Sequence, residues 1–310
     1  MSRVKFCVCV SLAALVMADA ASISAQKNDA DELIKIDSNM VVLRATVTDK
    51  NGNSVPGLKK ENFHVLEDGV EQKIEFFSSE PLPVSWTLVL DRSGSMYTMM
   101  KDVYRAALHV IDGGTDRDEM SIVTFNEKAE LVSPFERDKH RLQNALNGLW
   151  ADGNTALYDA VALSLDGFRS ANNRKKVLVI VTDGEDNASK LSFRALVDRA
   201  EEEDVTIYTV GMFSGMESRK TIRFEDDLEK LAASTGGRSH FPENVRECQA
   251  VMDQIGLEVR EHYSLAYYPA NASFDGKWRQ INLKVETGSR KSPLVRTRRG
   301  YYAKKTASAK

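Results

Sequence analysis

One stretch of the sequence is mostly apolar and another is wholly apolar, and each leads into an aspartate. Residues 84–90 run directly into Asp91, and residues 177–181 are followed by Thr182 and Asp183. Short, nearly continuous apolar runs are typical of strands that are buried on both faces of a parallel sheet. The two stretches therefore predict core strands with acidic side chains at their carboxyl ends.

Helical periodicity separates these strands and continues after them. Val103, Ala107 and Ile111 would share one helical face, and Leu157 and Leu165 would share another. Further strands are predicted over residues 120–125 and 205–210. Further helices are predicted over residues 142–150, 156–168 and 228–233. Another helix extends through residue 196, and the last one begins at residue 245. Strands that alternate with helices indicate an α/β fold with a parallel, doubly wound sheet.

The two ends of the chain have a different rhythm, in which short strands alternate with turns. Strands are predicted over residues 40–48, 63–66 and 74–77, and again over residues 263–268, 281–285 and 294–302. Each end is small for an independent domain. We expect an N-terminal β module (26–82), an α/β domain (83–262) and a C-terminal β segment (263–310), with both ends packed as one antiparallel sandwich. Two separate β extensions on the α/β domain would fit nearly as well.

The first 25 residues have the layout of a secretory signal peptide. Arg3 and Lys5 precede an apolar run over residues 6–17 and the small-residue sequence Ala-Asp-Ala at 18–20. The alternative, a permanent membrane anchor, needs about 20 apolar residues. We expect an exported protein, periplasmic or extracellular, with no transmembrane segment in the mature chain.

Charge and cysteine content argue against nucleic-acid binding and against thiol chemistry. A formal net charge of −3 argues against a nucleic-acid-binding protein. With Cys7 and Cys9 in the predicted signal peptide, Cys248 is the single remaining thiol and no intramolecular disulfide can form. Cys248 shares a helical face with Met252 and Ile255, which predicts a buried small hydrophobe and not a catalytic thiol.

Oxygen-bearing side chains follow the apolar strands. Asp91, Ser93 and Ser95 alternate along the loop after the first strand, Asp183 follows the second, and Thr155 lies in a third loop that opens a helix. Ligand sites of doubly wound sheets form at the carboxyl ends of strands. Two carboxylates and three hydroxyls suit a hard divalent cation, Mg²⁺ first, with Mn²⁺ or Ca²⁺ as alternatives. Because hydroxyls are neutral ligands, such an ion can still accept a carboxylate from a partner.

Each of these motifs also has a purely structural interpretation. Asp-x-Ser-x-Ser sequences occur in ordinary turns, Thr155 could cap the helix that follows it, and Asp183 could begin a simple Asp-Gly turn. The acidic pair Glu185 and Asp186 could either add to a negative field that attracts a cation or form a solvated acidic turn. The functional interpretation depends on the combination of the three loops.

Three segments together resemble the motifs of von Willebrand factor A domains. They are Asp-Arg-Ser-Gly-Ser-Met at 91–96, Gly-Asn-Thr-Ala-Leu-Tyr-Asp-Ala at 153–160 and Val-Ile-Val-Thr-Asp-Gly-Glu-Asp at 179–186, within a match over roughly residues 84–262. The resemblance implies a Rossmann-like fold and a metal-ion-dependent adhesion site. Ser93, Ser95 and Thr155 would be hydroxyl ligands, and Asp91 and Asp183 would hold the ion directly or through water.

The flanking segments resemble a narrower group, the exported von Willebrand A-related family named for acidobacteria. The similar segments include Thr-Val-Thr-Asp-Lys-Asn-Gly at 46–52, Val-Pro-Gly-Leu at 55–58 and Arg-Gly-Tyr-Tyr at 299–302. That resemblance implies a fold and a metal site and no particular biochemical activity.

The resemblance and the donor set together predict an exported adhesion module that binds an acidic side chain of a protein partner through a divalent cation. Residues 96–100 and a loop over residues 212–225 are expected to rim the site and select the partner. A metal-independent scaffold with a vestigial site is the alternative. An enzyme is not expected, because a Mg²⁺-dependent phosphatase or hydrolase with Asp91 as nucleophile would need a second acid where Ser93 stands, and neither Gly-x-Ser-x-Gly nor His-Glu-x-x-His occurs.

Overall fold

The structure, a computed structural model, describes residues 40–303 except residues 51, 213–218, 274 and 288–292, and describes residues 219–221 and 245 by their backbone alone. The predicted signal peptide lies outside these residues. In the described part of the chain, none of the helices combines the length and the apolar character needed to cross a bilayer.

A six-stranded sheet forms the centre of the α/β region. In spatial order its strands are Ser239–His240 (β10), Val205–Gly211 (β9), Lys175–Thr182 (β8), Val84–Asp91 (β5), Glu119–Phe125 (β6) and Ala129–Glu136 (β7). The first five run parallel and β7 is antiparallel at the edge. The two apolar stretches, β5 and β8, are neighbours at the middle of the sheet, with Leu90 opposite Val181. Their carboxyl ends therefore meet at one edge of the sheet.

Helices cover both faces of this sheet. In the described part of the chain they are Met100–Gly113 (α1), Lys139–Ala145 (α2), Leu157–Gly167 (α3), Phe193–Glu202 (α4), Arg219–Ser234 (α5) and Val245–Arg260 (α6). Alternate residues of β5 enter opposite cores: Leu88 packs with α1 and α6, whereas Val89 packs with α3, α4 and α5. Cys248 of α6 is fully buried in the first core, as its helical pattern predicts. The α/β, doubly wound fold is confirmed.

The remaining strands form two antiparallel sheets around a third core. One sheet contains Leu294–Arg296 (β13), Val41–Thr48 (β1), Tyr263–Tyr267 (β11) and Ile74–Ser78 (β4), and the other contains Gly300–Tyr302 (β14), Trp278–Val285 (β12), Phe63–Glu67 (β2) and Val70–Gln72 (β3). Each sheet draws strands from both ends of the chain. Leu43, Val65, Tyr267 and Leu283 pack in one cluster between them. The two ends therefore form one sandwich and not two separate extensions.

Several elements differ from the sequence-based prediction: the helix predicted over residues 142–150 is α2, Lys139–Ala145, and the short strands β3 and β10 were not predicted. Strand β7 was not expected, because its side chains are mostly exposed or half-buried and give no clear alternation. Helix α5 begins at Arg219, well before the short helix predicted over residues 228–233. The single strand predicted over residues 294–302 is two strands, β13 and β14, which belong to different sheets of the sandwich.

Candidate metal-binding site

Backbone hydrogen bonds join two of the predicted loops at the carboxyl edge of the central sheet. The Gly94 amide donates to the Gly153 carbonyl at 3.0 Å, and the Asp152 amide donates to the Arg92 carbonyl at 2.9 Å. Gly153 has a φ of +74°, in the left-handed region that favours glycine. A Cβ atom on Gly94 would lie 3.4 Å from the Gly153 carbonyl oxygen. The left-handed backbone of Gly153 thus permits the turn that brings the Thr155 loop against the loop that carries Ser93 and Ser95.

Asp91 is the most deeply placed of the five predicted ligands. Its side chain is fully buried, Oδ1 accepts a hydrogen bond from the Ser93 amide at 2.8 Å, and Oδ2 accepts one from the Thr182 hydroxyl at 2.6 Å. Thr182 ends β8 beside Asp91 because β5 and β8 are paired in register. These two donors fix both carboxylate oxygens in one orientation.

Ser93, Ser95 and Asp183 form a continuous polar chain. The two serine hydroxyl oxygens are 3.2 Å apart, and the Ser95 hydroxyl donates to Oδ1 of Asp183 at 2.8 Å. Ser93 is buried, whereas Ser95 is exposed and Asp183 is half-buried. The chain of oxygens therefore leads from the interior at Asp91 to the surface.

Thr155 completes the group. Its amide donates to Oδ1 of Asn187 at 2.9 Å, and a Cβ atom on Gly184 would lie 3.7 Å from the Thr155 hydroxyl oxygen and 3.8 Å from that of Ser95. Helix α3 has Ala156 at its N-cap, so Thr155 does not cap the helix. All five residues predicted from the sequence are brought together at one place.

Burial raises the pKa of both carboxyl groups in this cluster. The pKa of Asp91 rises to about 6, because desolvation outweighs the hydrogen bonds from Thr182 and Ser93, and the charge of Asp183 adds to the rise. Desolvation also raises the pKa of Asp183, against the hydrogen bond from Ser95. Within the described residues, Asp91 accepts hydrogen bonds from a backbone amide and a hydroxyl, and Asp183 accepts one from a hydroxyl. No arginine or lysine is among these donors. A divalent cation would offset the desolvation and the mutual repulsion.

The donor set fits a hard cation. It consists of carboxylate and hydroxyl oxygens, which Mg²⁺, Mn²⁺ and Ca²⁺ prefer over the nitrogen and sulfur ligands of softer metals. Among the described residues, no group of three or more histidine, cysteine, aspartate or glutamate side chains is arranged to hold a metal ion. A cation at this place would therefore need ligands besides the two carboxylates, and the hydroxyls of Ser93, Ser95 and Thr155 are the neutral oxygens of the predicted set.

Two supporting residues were not predicted from the sequence. Thr182 orients Asp91, and Asn187 fixes the backbone of Thr155. A polar residue at the end of an otherwise apolar strand is a signal that could have identified Thr182. Asp186 is also explained: its carboxylate accepts hydrogen bonds from the Tyr158 amide at the start of α3 and from Ser189, whereas Glu185 is exposed.

The predicted rim of the site needs correction. Met96 is fully buried in the core with α1, and the side chain exposed beside it is Tyr97. Met212 is buried as well, residues 213–218 lie outside the described residues, and residues 219–225 belong to helix α5 and not to a loop. Met96 enters the core from the 3-10 turn over Gly94–Thr98, and Met212 joins the same core at the end of β9.

Comparisons with known proteins agree with this architecture. Residues 87–254, more than half of the chain, match the von Willebrand factor type A domain family. An uncharacterized protein of Synechocystis sp. is 29% identical over 182 residues, which are 56% of this chain and 41% of that protein. The human voltage-dependent calcium channel subunit alpha-2/delta-2 is 27% identical over 114 residues, 33% of this chain and 10% of the subunit. A solved structure, von Willebrand factor type A from Catenulispora acidiphila, aligns with a TM-score of 0.52 at 14% identity, covering 89% of this chain and 76% of the other.

Proposed function

Because the chain belongs to the von Willebrand factor type A domain family, we propose that it is a binding module that engages a protein partner through a divalent cation. The residues that would hold the cation are Asp91, Ser93, Ser95, Thr155 and Asp183. Mg²⁺ is the favoured ion, with Mn²⁺ or Ca²⁺ as alternatives. An acidic side chain of the partner would complete the coordination.

The observation that carries this proposal is the convergence of five oxygen-bearing side chains from three loops. Ser95 Oγ lies 3.2 Å from Ser93 Oγ and 2.8 Å from Asp183 Oδ1, and the hydroxyls of Ser95 and Thr155 both lie against Gly184. With two carboxylates in the set, the charge of a divalent ion is neutralised by the protein, and because the other three ligands are neutral hydroxyls the ion can still coordinate a third carboxylate.

A bound cation would supply a Lewis-acidic position for a carboxylate oxygen of the partner. The chain's own residues hold the two acidic ligands in place. Ser93 and Thr182 hold Asp91, and Ser95 holds Asp183. These hydrogen bonds orient both acidic groups before any partner arrives. Preorganisation of this kind lowers the entropy that binding must overcome.

The proposal includes no reaction on a substrate. Asp91 is fully buried and both of its carboxylate oxygens accept hydrogen bonds, which does not suit the nucleophile of a phosphatase or hydrolase. Serine stands at position 93, where a second acid would be needed for general acid–base work. Binding is therefore the favoured activity of this site.

The proposal also includes export from the cytoplasm and membership of a narrower family. A signal peptide within residues 1–25 would export the protein to the periplasm or outside the cell. The segments at 55–58 and 299–302 support membership of the exported acidobacterial von Willebrand A-related family. The human relative is named as a channel subunit, which supports a role in association with other proteins.

Calorimetric titration with Mg²⁺, Mn²⁺ and Ca²⁺ tests the cation site directly. The purified protein is compared with Asp183→Asn and Ser95→Ala, which change side chains at the accessible end of the cluster and leave Asp91 in place. We expect one site in the unaltered protein and a loss of affinity of at least about tenfold in each variant.

Ser121→Ala is the matched control for this titration. It removes a buried strand hydroxyl that pairs with Thr87 at 2.8 Å, in the same sheet but away from the cluster. Cation affinity should be unchanged in this variant. Equal binding in all four proteins, or no binding to the unaltered protein, would contradict the cation site and favour a metal-independent scaffold.

A further inference from the structure

A pocket of about 310 Å³ lies at the junction between the α/β region and the sandwich. It is bounded on one side by the end of α5 and the turn that follows, and on the other side by β12, β13 and the link between β13 and β14. None of the described residues that line it belongs to the three ligand loops, and none is acidic. Three arginines line the pocket: Arg296, Arg298 and Arg299. This lining favours a negatively charged occupant.

The link between β13 and β14, residues 297–299, is held in place by the backbone around it. A Cβ atom on Gly236 would lie 2.9 Å from the Arg298 amide nitrogen, so the link lies directly on this glycine. On the other side, the Ile281 amide of β12 donates to the Arg299 carbonyl at 2.7 Å. The side chains of the link therefore extend from a fixed backbone before any ligand arrives, and such preorganisation lowers the entropic cost of binding.

Three consecutive residues of the pocket lining have hydrogen-bonding atoms without partners. Among the described residues, Nε of Arg296, Oγ1 of Thr297 and Nε of Arg298 are each buried and make no hydrogen bond. Buried polar atoms of folded proteins are nearly always paired with a protein group, with water or with an ion. This segment is therefore suited to a ligand that offers several hydrogen-bond acceptors.

Two of the three arginines have no acidic partner among the described residues. Arg296 pairs with Glu258, whereas neither Arg298 nor Arg299 forms an ion pair in the described part of the chain. The guanidinium of Arg298 lies instead over the ring of Tyr301, 5.5 Å from the ring centroid. The charges of Arg298 and Arg299 are thus available to a ligand.

Burial makes the charge of Arg298 costly. Desolvation lowers the pKa of Arg298, and the charge of Asp204 opposes this effect. Asp204 is already paired with Arg44, whose own charge adds to the lowering. An anion in the pocket would offset this cost, because it would place a negative charge beside the buried guanidinium.

We propose that this pocket binds a phosphate or sulfate group, either free or as the ester of a small molecule. Arg298 and Arg299 would supply positive charge and the N–H donors of two planar forks, and the Thr297 hydroxyl would add a further donor. Donors on several side chains match a tetrahedral group, whose oxygens point in several directions, better than a planar carboxylate. The pocket has the size of a small-molecule site, so it also has room for the organic part of an ester.

Calorimetric titration of the full chain in EDTA, at constant ionic strength, tests this site with inorganic phosphate, inorganic sulfate, glycerol 3-phosphate and acetate. We expect phosphate or sulfate to bind at one site, and acetate to bind at least about tenfold more weakly. Tighter binding of glycerol 3-phosphate than of inorganic phosphate would identify an ester as the source of the group, and the reverse order would identify the free ion. Because EDTA removes divalent cations, a failure in this titration leaves the proposed cation site standing.

Arg298→Lys and Arg299→Gln test the two arginines. Lysine keeps the charge of Arg298 but not its planar fork, and Arg299 is exposed, so its substitution should leave the fold intact. Each variant should bind the oxyanion at least about tenfold more weakly than the unaltered protein. Urea denaturation checks that both variants are folded, and Arg299→Gln alone decides the matter should Arg298→Lys prove unstable.

Arg105→Gln is the matched control. Arg105 is an exposed arginine of α1 that pairs with Asp102 and does not line the pocket. Oxyanion affinity should be unchanged in this variant. The proposal would be overturned by an absence of phosphate and sulfate binding to the unaltered protein, by acetate binding as tightly as either, or by equal affinity in the control and the two pocket variants.

Discussion

Thr182 is a side chain outside the ligand set on which the geometry of the site depends. It is fully buried, and its hydroxyl donates to Asp91 at 2.6 Å. Valine has nearly the same shape but no hydroxyl, so Thr182→Val should leave Asp91 Oδ2 without this donor. We expect a loss of about 1–2 kcal/mol of unfolding free energy, measured by urea denaturation, and weaker cation binding by calorimetry.

Thr87→Val separates the two effects of that substitution. Thr87 is also buried on β5, and its hydroxyl pairs with Ser121 far from the ligand cluster. We expect a comparable loss of stability but unchanged cation affinity, because no ligand is touched. If Thr182→Val and Thr87→Val lowered the cation affinity equally, Thr182 would have no specific part in orienting Asp91.

Replacing two glycines, Gly237 and Gly256, by alanine should change the stability of the fold in opposite directions. A Cβ atom on Gly237 would lie 1.9 Å from the Ile207 carbonyl oxygen, in rigid backbone, whereas one on Gly256 of α6 would meet open space. Gly237→Ala should therefore destabilise the fold by about 2–4 kcal/mol. Gly256→Ala should stabilise it by about 0.5–1 kcal/mol, because alanine is the better helix former. Thermal unfolding of both variants in EDTA measures the two shifts, and equal signs would contradict this packing.

At the scale of elements, strands can be predicted from the sequence where burial makes their residues apolar. Strands β5 and β8 are covered on both faces, so most of their residues are apolar and the pattern is visible in the sequence. Strand β7 is an edge strand with one neighbour, and its mixture of exposed and half-buried residues carries no such pattern. Four of the five candidate ligands could be predicted from these strands because they lie at or just after the strand ends, whereas Thr155 precedes helix α3 and was identified by its loop.

The division of residues 294–302 into two strands could not be predicted from local pattern. A Cβ atom on Gly236 would lie 2.6 Å from the Thr297 carbonyl carbon, so the link between β13 and β14 passes directly over this glycine. That contact joins residues far apart in the sequence. The same holds for the hydrogen bond between Asn187 and Thr155, which fixes a ligand loop from another element.

Helix α6 is attached to the sandwich by a buried acidic side chain. Glu258 is 2% exposed and pairs with Arg296 of β13 and, at 3.6 Å, with Arg238. Glu258→Gln keeps the shape but leaves both arginines without their counter-charge. Because these arginines are partly exposed, we expect a loss of about 2–3 kcal/mol, less than for a wholly buried pair. Urea denaturation measures the change in unfolding free energy.

Asp226→Asn is the control for the effect of burial on that ion pair. Asp226 pairs with Lys230 along the exposed surface of α5. Exposed pairs of this kind contribute little, so we expect no resolvable change in the unfolding free energy. Equal losses in the two variants would show that burial does not set the strength of the α6 attachment.

At the scale of the whole molecule, the sandwich and the α/β region share a polar junction. Arg44 of β1 pairs with Asp204 and donates to the Arg174 carbonyl at 2.9 Å. Lys175 at the start of β8 is buried and contacts the Val259 carbonyl. Burial lowers the pKa of Lys175 well below its ordinary value. The junction therefore contains groups whose protonation differs between the folded and the unfolded chain.

His262 makes this junction sensitive to acid. It lies between α6 and β11, is 4% exposed and contacts Lys175 and Ser264. Burial, then the charges of Lys175 and Arg44, lower its pKa from 6.5 to about 2. The native imidazole therefore stays neutral at a pH where the unfolded one is protonated, so unfolding takes up a proton below pH 6.5. Its contribution to stability is complete above pH 6.5 and is lost progressively as the pH falls towards 2.

His262→Gln should remove this dependence. Between about pH 6 and pH 5 the unaltered protein should lose up to about 1.4 kcal/mol more unfolding free energy than the variant. Urea denaturation in EDTA at each pH measures the difference, and the contributions of His240 and Asp91, whose pKa values are also shifted, cancel because both proteins contain them. Parallel curves would mean that His262 is protonated in the folded protein. The junction would then have to accommodate its charge beside Lys175, which the closeness of the two side chains argues against.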